Sequence, residues 1–299
     1  MEKIIQKIQE QIGAGIYPGA SLALYQKGSW QEYYLGLADP DKQEPVIPGL
    51  TYDLASVSKV VGVGTVLAFL VRQGQIDIDR PLASHYPDME QAEVTIRQLL
   101  THTSGLDPFI PRRDDLDAEG LKEALHRLKL KDKRQFHYTD VNFLLLGFLL
   151  EKWYGQDLAQ IFQEQVFAPW QMKETTFGPV SQAVPTLRGV PAGVVHDPKA
   201  RVLGVHAGSA GLFSTIRDME IFLEHYLQDP FAEILSQNYA LEKGKMRSLA
   251  WNLEGDWLDH TGYTGTFLLY NRKLQLAAIF LSNRTYEKDE RAQWILDRN

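Results

Sequence analysis

Twelve consecutive residues, Val60-Val-Gly-Val-Gly-Thr-Val-Leu-Ala-Phe-Leu-Val71, carry no charge and are apolar on every side. A helix of that kind has no face to give to water, so it must run through the middle of a domain with layers on both sides. Just ahead of it stand Ser56 and Lys59, in Leu54-Ala-Ser-Val-Ser-Lys59. Three residues apart on a helix, the two side chains share a face and can touch. A serine hydroxyl is a poor nucleophile near neutral pH until a neighbouring base takes its proton. A lysine can be that base if its surroundings lower its pKa. The helix N-terminus adds free N–H groups and a positive dipole end, which favour developing negative charge. An S-x-x-K occurs about once by chance in a chain of this length, so its meaning depends on the motifs that accompany it. The plain alternative makes Ser56 a cap and Lys59 a surface residue.

The rest of the chain can supply the surrounding layers. Of its 299 residues 44% are hydrophobic and 23% charged, enough for one large domain or two intertwined ones. A net charge of −7 and the absence of any Lys/Arg block argue against nucleic acid and anionic membrane as partners. Without cysteine there is no disulfide, thiolate chemistry or Cys-based zinc site. At the N-terminus Ile4, Ile5, Ile8 and Ile12 recur at helical spacing, which reads as an amphipathic helix and not a signal peptide. Val60–Val71 is too short, and too closely flanked by charge, for a membrane span. The expected location is the cytosol, or outside the cell if a leader has been removed.

In chain order, Ala20–Gln26 and Trp30–Leu37 around Lys27-Gly28 read as a β-hairpin. From Arg80 to about Lys245 the signals are mostly helical, at Val94–Leu100, Leu121–Leu130, Val141–Tyr154, Asp157–Phe167 and Arg217–Leu227. Gly178–Ala210 is rich in Gly and Pro and reads as a long loop beside a cleft. Arg247–Leu253, Gly265–Tyr270 and Leu274–Ser282 read as an antiparallel meander, and Glu287–Leu296 as a closing helix. The expectation is an α+β fold. An antiparallel sheet flanked by helices is built from residues 1–79 and 246–299. A mostly helical domain, 80–245, is inserted, and the active site lies in the cleft between them.

Two further segments give S-x-x-K its context. Phe136-His-Tyr138-Thr-Asp140 leads into the apolar helix at Val141, and Asp259-His260-Thr261-Gly262-Tyr263-Thr-Gly265 stands at the start of a strand. With Ser56-x-x-Lys59, they resemble the three ordered motifs of the class C β-lactamase and penicillin-binding-protein superfamily of serine hydrolases. Gly36–Asp39, Leu99–Leu106, Val195–Pro198 and Ala210–Thr215 are similar to recurrent segments of the same superfamily, so the likeness covers nearly the whole chain. The resemblance implies the β-lactamase/transpeptidase-like fold. It implies Ser56 as the acylated nucleophile, Lys59 as its general base and Tyr138 as the residue that passes a proton to the leaving group. It also implies an oxyanion hole of the backbone N–H groups of Ser56 and Tyr263, and substrate contacts from Asp140, His260, Thr261 and Gly262. No cofactor and no metal are called for. His196, Asp197 and His206 lack the spacing of a metal site.

Two residues depart from the pattern. Asp140 stands where penicillin-recognising members usually have Asn, and a carboxylate accepts hydrogen bonds without donating any. His260 stands where β-lactamases usually have Lys, and near pH 7 histidine is mostly neutral. Both weaken recognition of β-lactams and D-alanyl tails and resemble the esterase-like branch. Arg284, in the turn after the last strand, is the residue placed to supply the cation that His260 does not. The expected function is a serine hydrolase acting through an acyl-enzyme on small acyl esters. A β-lactamase or D-alanyl-D-alanine carboxypeptidase stays open, and behind both stands an inactive binding or sensor protein. An α/β-hydrolase is disfavoured, since Gly19-Ala-Ser-Leu-Ala23 lacks the last glycine of G-x-S-x-G.

Overall fold

A computed structural model describes residues 2–287 of the chain. The hairpin forms as expected. β1 (Gly19–Gln26) and β2 (Ser29–Asp39) pair antiparallel from Gly19–Gly36 to Gln26–Ser29. Lys27 and Gly28 both have positive φ, the backbone that a two-residue hairpin turn needs to match strand twist. A short β3 (Glu44–Pro45) closes that edge. Three strands from the other end of the chain complete the sheet with β7 (Asn252–Glu254): β8 (Trp257–Thr261), β9 (Phe267–Asn271) and β10 (Leu276–Ser282). The order is β3-β2-β1-β10-β9-β8-β7, antiparallel throughout, so the central strand β10 pairs with β1 from Ala20–Ser282 to Tyr25–Ala277.

β1 is buried on both faces, and its alternation assigns each face a layer. Ala20, Leu22 and Leu24 meet Ile5, Ile8 and Ile12 of the helix Glu2–Gly13. Ala23 and Tyr25 point the other way into the main core, where helix Ile216–Gln228 lies against β1, β9 and β10. A small second sheet, β4 (Tyr52–Asp53), β6 (Leu212–Ser214) and β5 (Thr176–Phe177), joins the segment before Ser56 to two distant parts of the helical region.

The apolar segment is not one regular helix. Ala55–Val57 forms a 3₁₀ turn, Val60–Gly64 a π-helical turn, and Thr65–Arg72 an α-helix. A side chain at Gly62 would sit 2.3 Å from the ring of Phe162, which is why a residue without one stands there. From Ala55 to Arg72 the stretch is 18 residues with mean hydropathy 1.5, so by length and composition it does reach a membrane span. That corrects the shorter reading of the sequence. Its residues nonetheless pack inside the fold, as those of a core helix do.

Helix Val141–Tyr154 has the expected bounds and ends at Gly155, whose φ is +70°. Elsewhere three readings change. Of Arg247–Leu253 only Asn252 and Leu253 join a strand, because Ala250 has φ +70° and Ser248–Trp251 forms a tight turn closed by Ser248 N–H to Trp251 O, 3.0 Å. Trp257–Thr261 is a strand that the pattern hides, since one of its two buried inward positions is His260. The long loop Gly178–Ala210 contains helix Pro198–Leu203, started by Asp197 accepting from Ala200 N–H at 2.8 Å with Pro in the first turn. The closing helix expected at Glu287–Leu296 lies outside the described residues, apart from Glu287 itself.

Trp251 ties the sheet to its helical layer. It is fully buried, with its ring 5.3 Å from that of Tyr226, 5.2 Å from Tyr270 and 6.4 Å from Phe222. Trp251→Ala should lower unfolding free energy by about 3–5 kcal/mol, the usual cost of emptying an aromatic site. The urea midpoint, compared with wild type, checks it.

Candidate active site

The turn that carries Ser56 is held from three sides. Leu54 N–H donates to Leu212 O of β6 at 2.9 Å, and Ser58 Oγ accepts from Leu212 N–H at 3.1 Å. Buried Asp53 accepts from Ala55 N–H at 2.8 Å and from His196 N–H at 2.7 Å. Thr264 and Thr266, beyond β8, donate their hydroxyls to Asp53 O and Leu54 O at 2.8 and 2.9 Å. Between these clamps Ala55 takes a φ of +46°, a strained conformation for a residue with a side chain. Gly262 closes the gap to the third motif. A side chain there would meet Thr266 Oγ1 at 2.0 Å and Leu54 O at 2.5 Å, so only glycine lets the loop lie against Ser56's turn.

Lys59 is the buried centre of the site. It has no exposed surface and donates three hydrogen bonds, to Ser56 Oγ at 2.8 Å, Asp140 Oδ1 at 2.8 Å and Ser209 O at 2.9 Å. Burial alone would lower its pKa. The Asp140 carboxylate and Tyr138 outweigh burial and hold it above the ordinary lysine value. In the resting site Lys59 is therefore an ammonium, and it could accept a proton only after losing its own. Burial likewise opposes the charge on Asp140, but Lys59 and Lys199 together hold that carboxyl well below the usual range. Lys199 Nζ lies 3.0 Å from Asp140 Oδ2.

Tyr138 has a buried hydroxyl that makes no hydrogen bond of ordinary geometry, although it is close enough to Lys59 to act on it electrostatically. Its ring rests on His102, 4.5 Å between centroids, and lies 6.1 Å from the ring of His260. His102 Nδ1 accepts from Asn142 Nδ2 at 3.1 Å and Thr139 N–H at 3.3 Å. Both histidines are buried, and burial together with Lys59 and Arg247 pushes them well below the ordinary histidine pKa. His260 is thus uncharged, as expected for the third motif.

These residues border a cleft of about 860 Å³. Ser56, Tyr138, Asp140, His260, Thr261 and Tyr263 all line it. Arg284 does not. It lies behind Tyr263, donating to Tyr263 O with its guanidinium 5.1 Å from the ring centroid. The cations that line the cleft are instead Arg113, Lys199, Arg201 and Arg247, which sequence reasoning missed. Lys199 sits in a stretch read as loop, where Asp197-Pro198 was the available sign of a helix start. Arg247 is 2% exposed and donates to Asn252 Oδ1 and, at 3.2 Å, to Ala250 O. Burial lowers its pKa to about 10. Nothing in the hydrophobic pattern marks a lone arginine in a tight turn. Among the described residues no cluster of three or more potential metal ligands occurs.

A family model described as Beta-lactamase matches residues 4–299. The chain belongs to the beta-lactamase family. Its solved neighbours include the D-alanine carboxypeptidase AmpC of Burkholderia cenocepacia, 18% identical, with TM-score 0.78 over all of this chain and 98% of that one. They also include EstCE1, described as a hydrolase with promiscuous acyltransferase activity, 19% identical, with TM-score 0.76 over 94% and 93% of the two chains. Among curated proteins, an N-acetylmuramyl-L-alanine amidase of Bacillus subtilis is 23% identical over 96% of this chain and 81% of its own. This beta-lactamase-family chain is accordingly a hydrolytic enzyme of the serine β-lactamase and penicillin-binding-protein fold.

The two buried histidines have a consequence for stability. Below about pH 6.5 the unfolded chain protonates both, while the folded state resists until well below that pH. The unfolded state then binds more protons, so stability falls as pH drops below 6.5 and is unaffected by these groups above it. Each should contribute a slope of about 1.4 kcal/mol per pH unit there. Urea midpoints at several pH values between 5 and 7.5 should show a smaller slope in His260→Gln than in wild type.

Proposed function

We propose that this enzyme is an esterase working through an acyl-enzyme on Ser56. Ser56 Oγ attacks the ester carbonyl while Lys59, once neutral, takes its proton. The oxyanion of the tetrahedral intermediate lies between the N–H groups of Ser56 and Tyr263, each worth about 2.7–4 kcal/mol in comparable sites. The C–O bond then breaks, and the Tyr138 hydroxyl hands its proton to the departing alcohol while recovering one from Lys59, which thereby returns the proton taken from Ser56. Water releases the acid by the same route in reverse. Thr261 and Gly262 border the substrate's path, and Asp140 and His260 shape its polar end.

The observation that carries the ester reading is the chemistry of that polar end. Asp140 spends one oxygen on each of two lysines and has no proton to donate to an amide carbonyl. His260 is buried and neutral, so it offers no ammonium to a substrate carboxylate. A second reading, hydrolysis of D-alanyl amides or β-lactams, draws support from Arg247 in the cleft wall and from the names of the carboxypeptidase and amidase relatives.

A panel of nitrophenyl esters and a chromogenic cephalosporin, assayed with purified protein, separates the two. The best ester should exceed the cephalosporin in kcat/KM by about 10²-fold, since a site without the substrate's polar partners discriminates strongly. A fluorophosphonate should label Ser56 and leave Ser56→Ala unlabelled. Equal rates on both substrates would favour the second reading, and labelling that survives in Ser56→Ala would remove the nucleophile.

A further inference from the structure

Asp140 is shared. Its Oδ1 meets Lys59 Nζ at 2.8 Å and its Oδ2 meets Lys199 Nζ at 3.0 Å. The two ammonium groups thus approach one carboxylate from opposite oxygens, Lys59 from the core and Lys199 from the cleft. Lys199 comes from helix Pro198–Leu203, whose first turn also directs Asp197 to within 3.6 Å of it. Its side chain is 13% exposed, although lysine usually extends into water. A nearly buried lysine that spans the mouth of the site to reach a carboxylate already paired is not explained by surface solubility.

The other groups facing Lys59 leave Lys199 a distinct part. Tyr138 and Asp140 approach from the segment before helix Val141–Tyr154, and His102 from the turn after Ile96–Leu100. His260 approaches from β8, and Arg247 from the turn before β7. The histidines are neutral, and Arg247 is engaged with Asn252 and Ala250. Lys199 is the cation in hydrogen-bonding contact with the carboxylate that binds Lys59.

We propose that Lys199 is a positioning residue that governs the charge state of Lys59 through their common partner Asp140. With Lys199 in place, the carboxylate is divided between two cations, and each holds less of it. Without Lys199, the full charge of Asp140 falls on Lys59, and a repelling ammonium a few ångströms away disappears as well. Both changes make Lys59 harder to deprotonate. The cluster Lys59, Asp140, Lys199 and Asp197 carries two charges of each sign, so a single substitution unbalances it. A paired substitution of Asp140 and Lys199 restores the balance.

This inference rests on Ser56 acylation with Lys59 as base, and not on the choice of ester over amide. The test is therefore the rate of Ser56 labelling by a fluorophosphonate, followed from pH 6 to 10.5 in the full chain. Lys199→Met should shift the rising alkaline limb upward by about one pH unit, a tenfold loss of rate at any pH below the limb. Asp140→Asn should shift it downward, and Asp140→Asn with Lys199→Met should return it toward wild type. Lys199→Arg should keep the wild-type profile. If Lys199→Met does not fold, Lys199→Gln carries the same expectation. A folded Lys199→Met that labels as fast as wild type, or a loss that Lys199→Arg fails to restore, would overturn the inference and leave Lys199 a merely structural residue. No labelling of wild type at Ser56 would overturn the underlying acyl-enzyme reading instead.

Discussion

Everything in this active site is arranged around an ammonium group buried in the core. Lys59 has no exposed surface, and an isolated charge in such a place would neutralise or unfold the protein around it. It survives because each of its three protons has an acceptor: a serine hydroxyl, a carboxylate and a main-chain carbonyl. The three acceptors come from residues 56, 140 and 209, so this one group requires three distant parts of the chain to converge. The position of Ser56 is then a by-product of satisfying a charge. The serine is held because the lysine needs it.

The same requirement explains the apolar helix. A carboxylate and an ammonium attract strongly only where water is scarce, and Lys59 stands at the head of a buried apolar stretch, Val60 to Ala68, that admits none. The π-helical turn at Val60–Gly64 is the local departure from regularity just where the polar centre gives way to the hydrocarbon core. Such turns are rare and tend to occur at functional sites.

Much of this was legible in the residues. The hairpin announced itself through two strand-like runs and a Lys-Gly turn, and helix Val141–Tyr154 through a mostly apolar sequence. Ser56, Lys59, Tyr138 and Asp140 stood in readable motifs, and the structure gathers them at one cleft. What stayed hidden shares one physical cause, which is that the relevant contact is distant in sequence. β8 was obscured because an inward position is filled by histidine, whose burial depends on a pocket made elsewhere. Lys199 and Arg247 gave no sign because a single cation in a loop looks the same whether it meets water or a carboxylate. Arg284 shows the reverse error: an arginine near the cleft in sequence turns its guanidinium to the back of Tyr263.

The hydroxyl bonds from Thr264 and Thr266 to Asp53 O and Leu54 O cross 211 and 212 positions of the chain. They join the first quarter of the polypeptide to the last, as does the pairing of β1 with β10 at the centre of the sheet. On the ribosome, the turn that carries Ser56 is therefore made early but cannot be fastened until nearly the whole chain has emerged. During that interval β1 lacks its β10 neighbour and presents an open edge, and folding that waits on such distant pairing is slow. A partly made chain carries Ser56 without the contacts that fasten its turn, so the assembled site arrives only with the final strands.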